Sequence, residues 1–515
     1  MPPTTNHHWQ MKRGFILNKM AIGLYFLLAL AGFLNAAVVE IQILQTTDVH
    51  GCVFQEEGRQ GSWQQLGHLI AEQRKQYDDN HLLLVDCGDS CQGTLLATLS
   101  SGEAPLQVLR ELRYDIWVPG NHEMDFGVPR FLELSRQYRD LVLCSNFHPL
   151  QGEDFCAWKM FERGGARIAV IGATASYMSH WLNGKDDSLC RVTKAVDELQ
   201  RLLPEIHAAR PDMIILAAHQ GWLEGNDARG VNEIAAISEK FPEIDLILGA
   251  HTHRFLPGQR LGRHTWYLQS GCKGRALGVA TVKIDTERHE VVDISSSLKY
   301  VSKSTPAVPL VSPVLQKWQR ICQEQLDEIL VAKLPYAVTP EGRPGVNCSA
   351  SELFCLALAK ASGAEVVFHG ALATKTLEAG KPVTGKDVFA FVPYENTIFT
   401  AKLTAGEIEQ IVTEQWAQRD VYTYCGVWGA RVKLDAHGTA TVLRVGKDKP
   451  DAGKRYLVAF NSFTVAGGGR YPLLRKILQT AAAELQDTGI STRKAVVDYL
   501  QANQQAPLPM ERWIW

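Results

Sequence analysis

Short apolar runs alternate with amphipathic stretches through the first half of the chain. VVEIQIL (38–44), HLLLVD (81–86), DIWVP (115–119), LVLCSN (141–146), RIAVIGAT (167–174), DMIILAAH (212–219) and IDLILGAH (244–251) are brief and mostly apolar. Runs of that kind suit strands buried on both faces. Residues 63–77 and 191–208 carry apolar positions at helical spacing instead. Strands alternating with helices predict a layered α/β domain. After Gln269, ALGVATVKI and VVDISSSLKYV follow without an intervening helix, as at the edge of a mixed sheet.

Residues 303–314, KSTPAVPLVSPV, are rich in Pro and Ser and mark a boundary. A helical pattern follows from Leu315 to Val331, and a second set of strand and helix signals runs to the C-terminus. The pattern divides the chain into 1–37, a leader; 38–302, a first domain; 303–332, a linker with a helix; and 333–515, a second domain. In the leader, Lys12, Arg13 and Lys19 precede an uncharged run from Ala21 to Leu34, then Ala36-Ala37. That run is shorter than the roughly 20 residues of a membrane span. With its positive flank it reads as a secretory signal, which places the protein in the periplasm or outside the cell. An uncleaved anchor is the alternative.

Charge and cysteine content narrow the classes. Lys+Arg is 53 and Asp+Glu is 55, a net charge of −2, so the basic footprint of a nucleic-acid polymer binder is missing. Eleven cysteines is an odd number, so at least one thiol is unpaired within the chain. Most read as small apolar core residues, with room for one or two disulfides.

Five strand-like runs end in residues that ligate metals. The first runs into Asp48-Val-His50 and the second into Gly88-Asp89. The third runs into Gly120-Asn121-His122-Glu123, with Asp125 beyond. The sixth ends at His219, and the seventh continues into His251-Thr-His253. In an α/β sheet the carboxyl ends of the strands form the ligand edge, so these positions converge although they span two hundred residues. Asp48, His50, Asp89, Asn121, His219, His251 and His253 exceed what one tetrahedral ion accepts. They suit two divalent ions sharing one carboxylate. Ions about 3.5–4 Å apart stabilise the attacking and leaving oxygens of a phosphoester displacement. Mn, Zn, Fe or Co all fit the mixed oxygen and nitrogen donors.

The order DVHG (48–51), GDSCQG (88–93), GNHEMDFG (120–127), AAHQGW (217–222) and GAHTHR (249–254) resembles the calcineurin-like metallophosphoesterases. Its wording is similar to the branch of exported 5′-nucleotidases and 2′,3′-cyclic-nucleotide phosphodiesterases. The resemblance implies a four-layer β-sandwich flanked by helices, then an α+β substrate domain. It implies that Asp48, His50 and His253 hold one ion, that Asn121, His219 and His251 hold the other, and that Asp89 bridges. Asp86 is the competing bridge; Asp89 is preferred because it follows the tight turn at Gly88. His122 would be the catalytic histidine, oriented by Asp125, with a metal-bound hydroxide as nucleophile. Glu123 would be a structural acceptor in the turn.

The second domain matches less closely. FVPYENTIFT (391–400) and FNSFTVAGGGRYP (460–472) resemble the family's substrate loops. The match implies Phe463 stacking on a nucleobase, Tyr424 on its other face with Tyr422 and Trp428 as competitors, and Asn396 and Arg470 in contact. Two positions depart from the pattern. Gly469 stands where the family has a ribose-binding Asp, and Thr374, beside Lys375, where it has an Arg. These departures open a non-nucleotide phospho- or sulfo-ester as an alternative substrate. A non-catalytic nucleotide-binding protein is the rival from another class.

Overall fold

The computed structural model describes residues 38–56, 60–176, 188–223, 231–394, 396–469, 471–503 and the backbone of strand 513–514. The leader and Arg470 lie outside the described residues. No helix among the described residues is long and apolar enough to cross a membrane.

The first domain contains β1 (Val38–Thr46), β2 (Leu82–Asp86), β3 (Ile116–Trp117), β4 (Phe147–Pro149), β5 (Trp158–Arg163), β6 (Ala166–Ala173) and β7 (Cys190–Val192). It continues with β8 (Met213–Ala218), β9 (Leu246–Leu248), β10 (Phe255–Leu261), β11 (Thr265–Ser270), β12 (Ala276–Asp285) and β13 (Glu290–Tyr300). Eleven of them form two mixed sheets, ordered β13-β12-β1-β2-β3 and β10-β11-β9-β8-β6-β5, and β4 pairs with β7 in a separate two-stranded sheet. The strands that carry the candidate ligands pair in parallel, β1 with β2, β2 with β3, and β8 with β9.

Period-two alternation splits each strand between two layers. Ile41, Ile43, Leu83 and Val85 of one sheet meet Ile168, Val170, Ile215, Leu246 and Leu248 of the other. Their alternates Leu82, Leu84 and Trp117 pack with Leu66, Leu109 and Phe131 of helices Trp63–Gln76, Glu103–Glu111 and Val128–Gln137. On the other sheet Ala169, Ile171, Ile214 and Leu216 pack with Leu199, Leu203 and Ile237 of helices Ala195–Ala208 and Ile234–Lys240. The result is a four-layer helix–sheet–sheet–helix sandwich, as expected. Each of these buried aliphatic side chains contributes about 1.5–3 kcal/mol relative to exposure.

The run 141–146 does not become a strand. It makes one bridge, Trp117 to Val142, and then crosses between the sheets. Its backbone bonds are divided accordingly. Leu143 N donates to Trp117 O, Cys144 N to Cys156 O, and Ser145 N to Gly172 O. β4, β5, β7, β10 and β11 lie outside the runs read as strands. β5 carries Lys159, Glu162 and Arg163 along a sheet edge, and β10 carries Pro257-Gly258 at a register shift.

The helix Pro313–Asp327 follows the Pro-rich stretch, with a proline in its first turn. Leu315 is buried in the first domain's core and Trp318 Nε1 donates to Glu103 Oε2 at 3.1 Å. The same helix packs against Gly385–Phe391 of the second domain. That domain is built on a five-stranded sheet ordered Gly426–Trp428, Val366–His369, Arg455–Asn461, Thr397–Thr404 and Gln486–Ser491. Helices Ser349–Ser362 and Thr492–Ala502 cover one face and Ala405–Trp416 the other. All eleven cysteines are thiols and nine are buried, so the one or two disulfides allowed by the sequence are not formed.

His369 shows how tightly the second core is packed. Its ring stacks on Phe354 at 4.4 Å, Nδ1 donates to Gly370 O at 2.8 Å, and Asn461 Nδ2 donates to Nε2 at 3.2 Å. Burial pushes its pKa down to about 4. The unfolded chain therefore takes up this proton before the folded one does. Stability is complete above about pH 6.5 and falls as pH drops toward 4, by about 3 kcal/mol from this group. Chemical denaturation of wild type and His369→Gln between pH 7.5 and 4.5 checks this. The wild type loses stability more steeply, and parallel curves would refute the assignment.

Candidate metal centre

The site forms where β1, β2, β3, β8 and β9 release the chain. Asp48, His50, Asp89, His251 and His253 leave their strands with positive φ, at 50°, 52°, 54°, 67° and 56°. A non-glycine residue there costs of order 1–3 kcal/mol and persists only where surrounding structure holds it. Five such residues around one point turn five side chains inward. Two glycines make the approach possible. A Cβ on Gly88, itself at φ +89°, would meet Gly120 N at 2.4 Å. One on Gly120 would meet Asp89 Oδ1 at 2.2 Å and His219 Cε1 at 2.7 Å.

The donors gather into two groups, Asp48, His50, Asp89 and His253, and Asp89, His219 and His251. Asp89 belongs to both. His50 Nε2 and His253 Nε2 are 3.0 Å apart, His253 Nε2 is 3.3 Å from Asp48 Oδ1, and His219 Nε2 is 3.2 Å from Asp89 Oδ2. Asn121 Oδ1 is buried without a hydrogen-bond partner among the described residues, and Asp48 Oδ1 and His219 Nε2, though close to His253 and Asp89, make no well-aligned hydrogen bond there. A buried polar atom left unsatisfied costs about 1–3 kcal/mol, so three poorly satisfied atoms around one point fit ion ligands. His219 Nδ1 donates to Cys87 O at 2.7 Å, which leaves Nε2 as the nitrogen facing the site.

Asp86 is occupied elsewhere. It accepts from Thr46 Oγ1, Ser90 Oγ and Gly88 N, and burial pushes it up to about 7. Glu123 is fully enclosed and accepts from the backbone N–H groups of Asp89, Ser90, Cys91 and Gly120. Its carboxylate pins the Asp89 loop to the Gly120 loop, as a structural acceptor.

His122 sits at the mouth. Its ring lies edge-on to His50 with centroids 5.4 Å apart, Nδ1 donates to Asp125 Oδ2 at 2.7 Å, and its backbone N donates to Asp89 Oδ1 at 2.8 Å. Burial alone would lower its pKa. The charges of Asp125 and Asp89 and the Asp125 hydrogen bond outweigh that and push it up to about 10. The same contest raises His219 to about 9, chiefly through Asp89, so without an ion Nε2 carries a proton toward Asp89, and an ion binding there would displace it to reach the lone pair. Burial lowers His50 and His251 to about 4, so both offer lone pairs at neutral pH.

In the second domain Phe463 is 41% exposed and Asn396 Oδ1 accepts from Ser462 Oγ at 3.0 Å, which ties the Asn396 loop to the Phe463 turn. Tyr424 is only 2% exposed and packs edge-on against Trp416, so it has no face to offer a base. The neighbouring Tyr422 is 57% exposed and hydrogen-bonds with the exposed Tyr394. Lys375 is held by Asp387 at 2.9 Å.

Residues 41–255 match the calcineurin-like phosphoesterase family and residues 335–476 match the 5′-nucleotidase C-terminal domain family. The chain joins these two domains in one enzyme. It is a metal-dependent phosphoester hydrolase. Protein UshA of Yersinia enterocolitica is 24% identical over 480 residues, covering 84% of this chain and 86% of its own. A 5′-nucleotidase of Vibrio vulnificus is 22% identical and covers 96% of this chain and 97% of its own. The fold is shared with the crystal structure of a 5′-nucleotidase precursor from Thermus thermophilus, at a TM-score of 0.67, 20% identity, 92% of this chain and 99% of that one. The phosphoesterase family implies divalent metal ions, and the donor set of this domain fits them. Trp222, Arg254 and Arg275 flank the ligand loops, and the sequence pattern did not single them out. Only the position of Arg254, next to His253, could have signalled one of them.

Proposed function

We propose that the enzyme hydrolyses phosphoesters of nucleotides at a centre of two divalent ions bridged by Asp89. Asp48, His50 and His253 would hold one, and Asn121, His219 and His251 the other. Mn, Zn, Fe or Co would serve. The observation that carries this reading is Asp89 common to both donor groups, beside three buried, poorly satisfied ligand atoms. When bound, the ions would supply Lewis acidity and a water made nucleophilic at neutral pH.

The chain's own residues do the rest. Asp125 fixes the His122 ring through Nδ1 and favours its charged form, so Nε2 carries a proton at neutral pH. That proton goes to the leaving oxygen as its bond to phosphorus breaks. Glu123 holds the Asp89 and Gly120 loops in register, which keeps Asp89 and Asn121 aimed at one point. Phe463 offers an exposed ring on which a base can stack, a contact of about 1–3 kcal/mol. Tyr422 and Tyr394, with Asn396, would border the same surface, and Arg470 would contact the substrate. The basic, apolar leader 1–37, and a similar structure described as a 5′-nucleotidase precursor, favour a periplasmic or secreted enzyme.

A substrate panel tests the reading. Metal-reconstituted protein turns over AMP, 2′,3′-cyclic AMP or UDP-glucose at least about fivefold faster in kcat/KM than sugar phosphates, given a stacking contact of about 1–3 kcal/mol. EDTA abolishes turnover, and added Mn²⁺ or Co²⁺ restores it. Sugar phosphates preferred over every nucleotide would overturn the nucleotide assignment.

A further inference from the structure

The mouth of the metal centre is flanked by two exposed arginines that have no carboxylate partner among the described residues. Arg254 follows His253 directly. Its guanidinium lies over the Trp222 ring, 5.6 Å from the centroid, and Nη1 donates to Trp222 O at 3.2 Å. Trp222 is three residues beyond His219, so the two ligand loops together fix this guanidinium. Arg275 lies over the Phe255 ring at 4.7 Å, and its Nη2 is 3.4 Å from Cys272 Sγ. Cys272 is in turn in hydrogen-bond contact with His253. Aromatic faces and carbonyls therefore position both cations beside His253, the most exposed of the candidate ligands, at 45%. Elsewhere in the domain Arg110, Arg113, Arg130 and Arg163 are neutralised by aspartate or glutamate.

Charge counting gives these cations something to do. On the two-ion reading above, two divalent ions bring four positive charges. Asp48, Asp89 and a phosphate monoester dianion bring four negative ones. The centre is then balanced without any arginine, and Arg254 and Arg275 are surplus. In the second domain Lys375 is taken by Asp387, and Arg470 is the one cation proposed there to reach the substrate. A planar guanidinium with free donors fits phosphate oxygens in pairs.

We propose that Arg254 and Arg275 form a second anion subsite on the catalytic domain, which selects phosphoesters bearing another phosphate one bridge from the scissile phosphorus. This inference rests on the two-ion reading and names the substrate class it favours, diphosphate-linked nucleotides. The test is the affinity of metal-loaded full-length protein for α,β-methylene ADP and for inorganic phosphate, by calorimetry, in wild type and the Arg254→Gln/Arg275→Gln variant. Turnover of p-nitrophenyl phosphate is followed separately. The expected result is a fall of about thirty-fold in the affinity ratio of the diphosphate analogue to phosphate, because glutamine cannot make the two charge-assisted hydrogen bonds. That ratio also falls with added salt in the wild type and hardly in the variant. A ratio unchanged within threefold overturns the subsite, as does an equal loss for both ligands. Missing turnover with every metal would instead count against the two-ion hydrolase reading, while the affinity ratio still decides the role of the arginines.

Discussion

Replacing His122 with alanine lowers kcat on AMP by about 10³-fold and leaves KM nearly unchanged, because the ring acts on the leaving oxygen rather than on the bound ground state. The physical basis is the pairing of Nδ1 with Asp125 and the proximity of Asp89, which together hold the ring protonated despite its burial. The loss depends on the leaving group. A nucleoside alkoxide is strongly basic and needs the proton, whereas p-nitrophenolate leaves without one. The variant therefore loses at least about tenfold less on p-nitrophenyl phosphate than on AMP. Equal losses on the two substrates would move His122 from proton donor to general electrostatic stabiliser. Unchanged turnover would remove it from the mechanism.

The second large effect is at Asp89. Asparagine there keeps the shape and the acceptor for His122 N, but removes the one charge that both donor groups share. Ion binding weakens at both positions at once, and kcat/KM falls on the order of 10³-fold or more at micromolar metal. The fall is partly recovered at millimolar Mn²⁺, since occupancy rather than folding is lost. Asp86→Asn gives a different outcome. Asp86 meets Thr46, Ser90 and Gly88 and no candidate ligand, so that change alters thermal stability and leaves metal content as it was. Equal metal loss in the two variants would contradict the assignment of Asp89 as the shared carboxylate.

The layered fold and the cluster were legible for the same reason. Buried parallel strands need near-continuous apolar runs, and the chain must turn sharply where each run stops. The polar residues that follow Thr46, Trp117, Ala218 and Leu248 are therefore conspicuous against their surroundings. What the pattern could not show was the path of segments that leave a sheet. The run 141–146 is as apolar as a strand, yet its backbone bonds go to Trp117, Cys156 and Gly172 in turn. The aromatic loop 421–428 failed differently. Tyr422 and Tyr424 are chemically alike, and which of them surfaces is decided by the turn in which Tyr424 N donates to Val421 O. That turn drops Tyr424 onto Trp416 and leaves Tyr422 outside. Arg275 carries no signal in one dimension and Arg254 only its place beside His253, because what distinguishes both is that no carboxylate partners them among the described residues.

The most direct test of the account is the metal content and anomalous scattering of protein stripped with chelator and reloaded with Mn²⁺ or Zn²⁺. Two ions per chain are expected, about 3.5–4 Å apart as in other two-metal phosphoester hydrolases, with Asp89 bound to both and Asn121 Oδ1 on one. A single ion, or a pair held without Asp89, would contradict it.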